Sequence, residues 1–290
     1  MTATPLHRTH ARSDDLAAWR AVPPEVNIRP VRRRIAVRDV TANLGLIRVL
    51  VARDLKVKYK QSVLGPIWLF FQPFALLVAF VIGFHSVANV DTGGVSYALF
   101  ALTGLSMWSY FSSASAAGAL SLLGNTNLVR FTSCPRLVLT LANLLASLPA
   151  LLVPAAAAVV AALMDGYGSA NLILAPLAAI WLVLLTAAFT AITASLAVKW
   201  HDIPAALPFL LQVGVFLAPI AYPAENLSGV TRVLLTLNPL TGVIEAWRWC
   251  VLAVPPDGLA LAVSLTLTAL LAMGAWLIFG RLEVTMADDI

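Results

Sequence analysis

Arg53, Lys56, Lys58 and Lys60 place four cations within one short stretch, RDLKVKYK. Clustered ammonium and guanidinium groups suit a phosphate or pyrophosphate, because charge-assisted hydrogen bonds to phosphate oxygens are strong and geometrically specific. Gly65-Pro66 and the aromatic segment Ile67 to Pro73 follow immediately, opening a run without formal charge before Asp91. Lys and Arg cost about 2.5–3.5 kcal/mol each at the centre of a membrane helix. The junction therefore reads as a membrane boundary, with its basic side cytoplasmic.

The other residues capable of chemistry are sparse. The sequence contains no Gly-Lys pair, so the phosphate-cradling G-x-x-x-x-G-K-[ST] loop cannot be formed here. H-E-x-x-H, C-x-x-C and G-x-S-x-G are also missing, which removes the sequence support for metal and serine-hydrolase chemistry. Cys134 and Cys250 are expected on opposite sides of the membrane, so they give no disulfide. His85 stands alone near the outer end of the first apolar segment and reads as a hydrogen-bonded rim residue. Ion-coupled carriers place Asp, Glu, Lys or Arg at membrane depth, and none falls within the six apolar segments set out below.

The composition fits these expectations. The 290 residues are 60% hydrophobic and 11% charged, with a mean hydropathy of +0.87, against about 25% charged residues in soluble domains. That deficit indicates an all-α membrane protein. The net charge of +5 is concentrated at one end, since thirteen of the nineteen Lys and Arg lie in the first sixty residues. A segment so charged suits anionic lipid rather than nucleic acid. Residues 1–40, with four prolines and Arg32-Arg33-Arg34, read as a flexible cytoplasmic tail and not as a secretory signal, which would need an early apolar core.

Several elements must position the cations. Val40, Leu44, Ile47, Val51, Leu55 and Tyr59 recur at helical spacing and predict an amphipathic helix over 41–65, lying in the membrane interface with Arg53, Lys56 and Lys60 on another face. Six apolar segments follow, at Pro66–Ala88, Tyr97–Leu122, Val138–Met164, Leu172–Val198, Ile203–Ala221 and Leu259–Gly280, each long enough to span about 30 Å. Together they predict a membrane domain over 66–281, with 282–290 as a short tail. Arg130, Arg136, Lys199 and Arg281 fall on the same side as the basic N-terminal stretch, whereas Asp91, Asp165, Glu225, Glu245 and Asp257 fall on the other. The positive-inside rule then places both termini in the cytoplasm.

Tyr222 to Val254 is too polar for a span and too apolar for a solvated loop. Asn238-Pro239 marks a helix start, and a shorter helix is expected over Gly229–Leu237. The pair predicts a re-entrant external hairpin, which is tolerated only where protein buries it or it lines a cavity. Trp68, Phe70, Phe71 and Phe74 suit an interfacial belt. Trp108, Tyr110 and Phe111, at mid-span, suit either helix packing or stacking against sugar rings.

The blocks Arg53 to Trp68, Gln72-Pro73, Asn127 to Arg130 with Pro135, His201-Asp202-Ile203, Ala218 to Pro223 and Asn238-Pro239-Leu240 follow one another in an order that resembles ABC-2 type permeases exporting polysaccharides. The resemblance covers roughly Thr41 to Arg281. His201 departs from a pattern in which Arg is common, and Ala218 from one in which Ser is common.

The resemblance implies a homodimer in the bacterial inner membrane, not itself an enzyme, above a pair of ABC ATPase subunits. ATP and Mg belong to that partner, and no cofactor is expected on this chain. The cargo implied is a polyprenyl-pyrophosphate-linked glycan of O-antigen, teichoic-acid, capsule or galactan type. Arg48, Arg53, Asp54, Asn127, Arg130, Pro135 and Arg136 would face the ATPase. Arg53, Lys56, Lys58 and Lys60 would meet the pyrophosphate. Trp68, Phe71, Trp108, Tyr110 and Phe111 would line the glycan path, and Asn238, Pro239, Glu245, Trp247 and Arg248 would form the external gate. Export of a drug or lipid is the nearest alternative. A membrane enzyme acting on polyprenyl lipids is the distant one, with only Asp54 and Asp202 as candidate carboxylates.

Overall fold

The computed structural model describes residues 41–60, 65–87, 90–131, 135–224 and 227–282. The predicted tail over 1–40, Cys134 and Glu225 lie outside the described residues, as do the side chains of His85 and Arg130.

All regular structure in the described residues is helical. Helix α1 is Leu44–Lys60. A 3-10 turn at Gly65–Ile67 leads into α2, Trp68–Phe80, which continues as a π-helical segment, Val81–Val87. Then come α3 (Tyr97–Ala119), the short α4 (Thr126–Phe131), α5 (Arg136–Ala146) and α6 (Pro149–Met164). A 3-10 turn, Ala170–Leu174, precedes α7 (Ala175–Lys199); α8 (Ile203–Gly214) ends in another, Val215–Leu217. Helices α9 (Gly229–Thr236), α10 (Pro239–Leu252) and α11 (Gly258–Leu282) complete the order.

Among the described residues, three stretches are long and apolar enough to cross a membrane: Arg136–Met164, Ala170–Lys199 and Gly258–Arg281. Trp68–Phe84 and Ile203–Leu217 are apolar but shorter. The expected fifth segment, Ile203–Ala221, is thus shortened. Pro219 disfavours helix at the residue before it, and Ala218 turns extended with ψ 148°. The third segment is not one rod either. It divides at Ser147-Leu148, ahead of Pro149, where a proline is tolerated in the first turn of a new helix.

Helix α3 is the axis of the bundle. It packs against α6, α7, α2, α8, α10 and α5. Its 23 residues rise about 35 Å, and most of its side chains are buried. It is also rich in hydroxyls. These bond to carbonyls of the preceding turn: Thr103 to Phe100, Ser106 to Thr103 and Ser109 to Leu105, each at 2.7 Å. Polar groups satisfied within their own helix can lie in an apolar interior without needing water. Small residues let neighbours approach: a Cβ on Gly118 would lie 2.0 Å from Thr190 Cγ2 on α7.

The apolar line of α1 is turned from its expected position. Leu44 is 59% exposed, while Ile47 and Leu50 are buried. They pack with Leu122, Val129, Val138, Leu139, Ala142, Ala194 and Val198. The inner face of α1 therefore rests on α4, α5 and the end of α7.

Candidate functional site

Two opposite ends of the bundle carry the polar chemistry, and α3 joins them. Its early turns meet α10, and its later turns meet α1.

At the α1 end, the four expected cations do not form one group. Lys58 points away from Arg53, Lys56 and Lys60 on the helical wheel, and its ammonium donates to Ser113 Oγ of α3 at 2.9 Å. Part of its side chain keeps solvent contact, yet burial around the ammonium lowers its pKa from the usual lysine value. A small cavity of about 80 Å³ opens here between Lys58, Tyr59, Trp68, Gln72, Ser109 and Ser113. The Tyr59 hydroxyl is buried without a hydrogen-bond partner among the described residues. Lys56 and Lys60 are exposed, as is Arg48. Arg53 pairs with its neighbour Asp54 at 2.8 Å. The pair is largely solvated and contributes little stability.

The segment around Asn127 is brought beside α1 through Ile47 and Leu50 packing on Leu122, Val129 and Val138. Asn127 is exposed on α4, and Pro135 caps α5, with Arg136 as the first helical residue. Arg48, Arg53 and Asn127 are exposed at this end, and Asp54 and Arg136 are partly so.

The five aromatics divide. Trp68 and Phe71 are 46% and 54% exposed and meet edge to face at 5.2 Å. Trp108, Tyr110 and Phe111 are buried instead. Phe111 packs on Phe189 at 5.2 Å, and the Tyr110 hydroxyl donates to the Leu144 carbonyl. Trp108 occupies the space beside Gly214, where a Cβ would lie 2.9 Å from its ring. These three pack inside the helical bundle of this chain. Telling them apart from the exposed Trp68 and Phe71 needed the helix packing, which spacing along one segment does not reveal.

At the other end, α9 and α10 form a helical hairpin. Asn238 caps α10, accepting from Leu240 N through Oδ1 at 3.0 Å and donating from Nδ2 to the Leu217 carbonyl at 2.9 Å. Pro239 fills the first helical position. Arg232 of α9 pairs with Asp257 at the start of α11 at 3.2 Å. Hydrogen bonds from backbone amides, Leu259 first, hold the Asp257 carboxyl below its usual pKa, and Arg232 adds to this. Glu245 accepts from Asp257 N at 3.0 Å. Trp247 is buried.

Arg248 is the centre of this end. It is a cation in a buried position, 3% exposed. Its Nη2 donates to the carbonyls of Phe100 at 3.2 Å and Ile220 at 3.0 Å, and its Nε faces Thr103 Oγ1 at 3.4 Å. The guanidinium lies over the Phe100 ring, 3.5 Å from the centroid. Gly104 makes room: a Cβ there would come within 3.0 Å of Nη2. Tyr97 donates to the neighbouring Ala221 carbonyl at 3.0 Å. One side chain of α10 thus holds α3 and the Ala218–Tyr222 segment together. Phe100, Thr103, Tyr97 and Ile220 escaped the sequence reading because hydroxyls and carbonyls in an apolar helix carry no distinctive spacing. The usable signal was Arg248 itself, the one cation in a mostly apolar helix whose other charged residue is Glu245.

A cavity of about 480 Å³ lies beside Arg248. Asp91, Thr92, Tyr167 and Glu245 line it, with Gly93-Gly94 and the Ala253 to Pro255 turn. Among the described residues, no group of three His, Cys, Asp or Glu is placed to hold a metal ion.

The family described as ABC-2 type transporter matches residues 45–252 of this chain. Two relatives from Klebsiella pneumoniae, each named O-antigen export system permease protein RfbA, are 28% and 27% identical over 214 residues, covering 71% of this chain and 81% of theirs. One of the same name from Myxococcus xanthus is 27% identical over 224 residues, covering 73% and 82%. The matched residues run from α1 through α10, taking in both polar ends and the helix between them. This chain belongs to the ABC-2 type transporter family, the membrane component of a transporter.

Proposed function

We propose that this chain is the permease subunit of an ATP-driven exporter that carries a polysaccharide, linked to polyprenyl pyrophosphate, across the inner membrane of a bacterium. The similarity to O-antigen export permeases over most of both chains carries the reading. The structure is compatible with it in three respects.

The first is the path. Six spans are drawn at 68–87, 97–119, 136–164, 170–199, 203–217 and 258–282, with α9 and α10 as the re-entrant hairpin on the outside. The shorter spans, α2 and α8, expose large apolar side chains: Phe70, Phe71 and Val78 on one, Phe209 and Leu210 on the other, with Phe216 and Leu217 in the turn that ends it. A second copy meeting these faces would form a homodimer with the glycan path between protomers, lined in part by Trp68 and Phe71.

The second is the coupling surface. Arg48, Arg53, Asp54, Asn127 and Arg136 face the cytoplasm and offer an ABC ATPase pair a docking area that rests directly on α5 and α7. Movement of α1 would reach the spans through Ile47 and Leu50. ATP and Mg are used in that partner, and this chain supplies the path rather than the chemistry.

The third is the substrate entrance. Lys56 and Lys60, exposed at the end of α1, suit a pyrophosphate arriving along the inner leaflet. Lys58, drawn to Ser113, would close the small cavity behind them.

Depleting the chain in its host tests the reading. The expected result is loss of the polysaccharide from the cell surface, with polyprenyl-linked glycan accumulating on the cytoplasmic side. Unchanged surface glycan together with retained drug or lipid would favour the alternative cargo.

A further inference from the structure

We propose that the cavity beside Arg248 is a saccharide-binding site on the outer face of each protomer. The proposal rests on the polysaccharide-export reading for its choice of sugar, and on the cavity for everything else.

The cavity measures about 480 Å³, within the range of small-molecule sites, about 300–1,000 Å³. Most of its walls come from connections, the Asp91 to Val95 turn, Tyr167 after α6, Pro223-Ala224 and the Ala253 to Pro255 turn after α10, with Phe100 of α3 and Glu245 and Arg248 of α10 behind them. It therefore opens at the aqueous rim and not along a lipid-facing helix.

Its polar groups are fixed before any ligand arrives. Asp91 accepts from Gly93 N at 2.9 Å, which sets the turn. Tyr167 donates to the Gly94 carbonyl at 3.2 Å, tying a second connection to the same turn. Glu245 is anchored by Asp257 N. Arg248 is held on Nε and Nη2 by α3 and Ile220, and no carboxylate of the described residues lies within 4.0 Å of it. The cavity thus offers fixed carboxylate acceptors, a fixed planar donor and a hydroxyl, Thr92, beside the apolar wall of Leu252 and Pro255.

A sugar ring has the matching surface. Adjacent hydroxyls present donors to carboxylates and acceptors to a guanidinium, while the C–H faces of the ring rest on apolar or aromatic side chains. A bare cation would meet Arg248, and a bare anion would meet Asp91 and Glu245; a neutral, hydroxyl-dense ligand meets neither penalty. Such a site would hold a sugar unit of the emerging chain and oppose its slipping back.

The test uses the full-length protein in detergent, titrated with short oligosaccharides made by partial acid hydrolysis of the host's surface polysaccharide. Glycerophosphoethanolamine is titrated in parallel as a lipid-headgroup probe. The expected result is saturable oligosaccharide binding, weakened tenfold or more in Asp91→Asn and Glu245→Gln, with Asp165→Asn in the adjoining groove equal to the unaltered protein. Each variant is first matched to the unaltered protein by thermal melting, and the comparison uses those that melt alike. Absence of binding, or binding unchanged in both cavity variants, overturns the proposal. Capture of glycerophosphoethanolamine without oligosaccharide overturns it in favour of a lipid site. If depletion of the chain removes surface polysaccharide while oligosaccharide binding fails, the export reading stands and only this site falls.

Discussion

Arg248 shows how much one side chain can organise. A buried guanidinium must have its donors matched, because an unsatisfied buried polar group costs about 1–3 kcal/mol. Here the carbonyls of Phe100 and Ile220 meet that need, and the Phe100 ring covers the face of the cation. Arg248→Ala takes the donor from the Ile220 carbonyl, while Phe100 keeps Thr103 Oγ1, and removes the tie between α3 and the Ala218–Tyr222 segment. We expect a loss of roughly 1–3 kcal/mol for each group left unsatisfied, read as a lower melting temperature in detergent. Arg248→Lys keeps the charge without the planar fork and should fall between the two. Equal melting of all three proteins would remove Arg248 from its structural role.

The cations of α1 also separate at this scale. Lys56 and Lys60 are exposed, while Lys58 is bonded to Ser113. Replacing Lys56 and Lys60 with Gln should reduce export while leaving the complex assembled, as judged by surface glycan and size-exclusion profile. Unchanged export would dismiss the headgroup assignment. The four cations read as one cluster in sequence because they are neighbours along the chain; helical geometry sends Lys58 to another face, and only the position of α3 shows what it meets there.

At the scale of elements, the coupling proposed for α1 requires that it stay seated. Leu50 is 4% exposed against α4, α5 and α7. Leu50→Asp buries a charge without a partner, so α1 should detach. The expected outcome is ATP hydrolysis by the complex that no longer drives export. Coupled hydrolysis and export in this variant would mean that α1 is an anchor and not a lever. The hairpin has a second tie, Arg232 with Asp257. The Asp257 carboxyl titrates below the usual 3.8, chiefly through the Leu259 amide. Its contribution is therefore fully present above about 3.8 and is lost as the pH falls through the lowered value. Amide exchange across α9 should quicken in that acidic window. Asp257→Asn should quicken it already at neutral pH, and identical exchange in the two proteins would discount the tie.

Much of this element order was legible in the sequence. Asn238-Pro239 announced α10, and the structure starts the helix there. The periodicity of α1 gave a helix but misplaced its inner face by favouring Leu44 over Leu50; which apolar row is buried depends on what α1 rests against, and α4 and α5 are distant in sequence. The hydroxyl-rich α3 was read as one span among six. Its place at the centre follows from packing against six other helices, a property of the assembled bundle.

For the whole molecule, the two ends and the helix between them define an account that one preparation can examine. The central claim is that this chain works as the membrane half of a polysaccharide exporter. Gentle extraction from native membranes, followed by mass spectrometry of the intact complex and its lipids, tests it most directly. The account predicts two copies of this chain with two P-loop ATPase subunits and a polyprenyl-linked glycan. A chain that arrives repeatedly without an ATPase, or an ATPase complex that carries drug-like molecules or ordinary lipid and never the glycan, would contradict it.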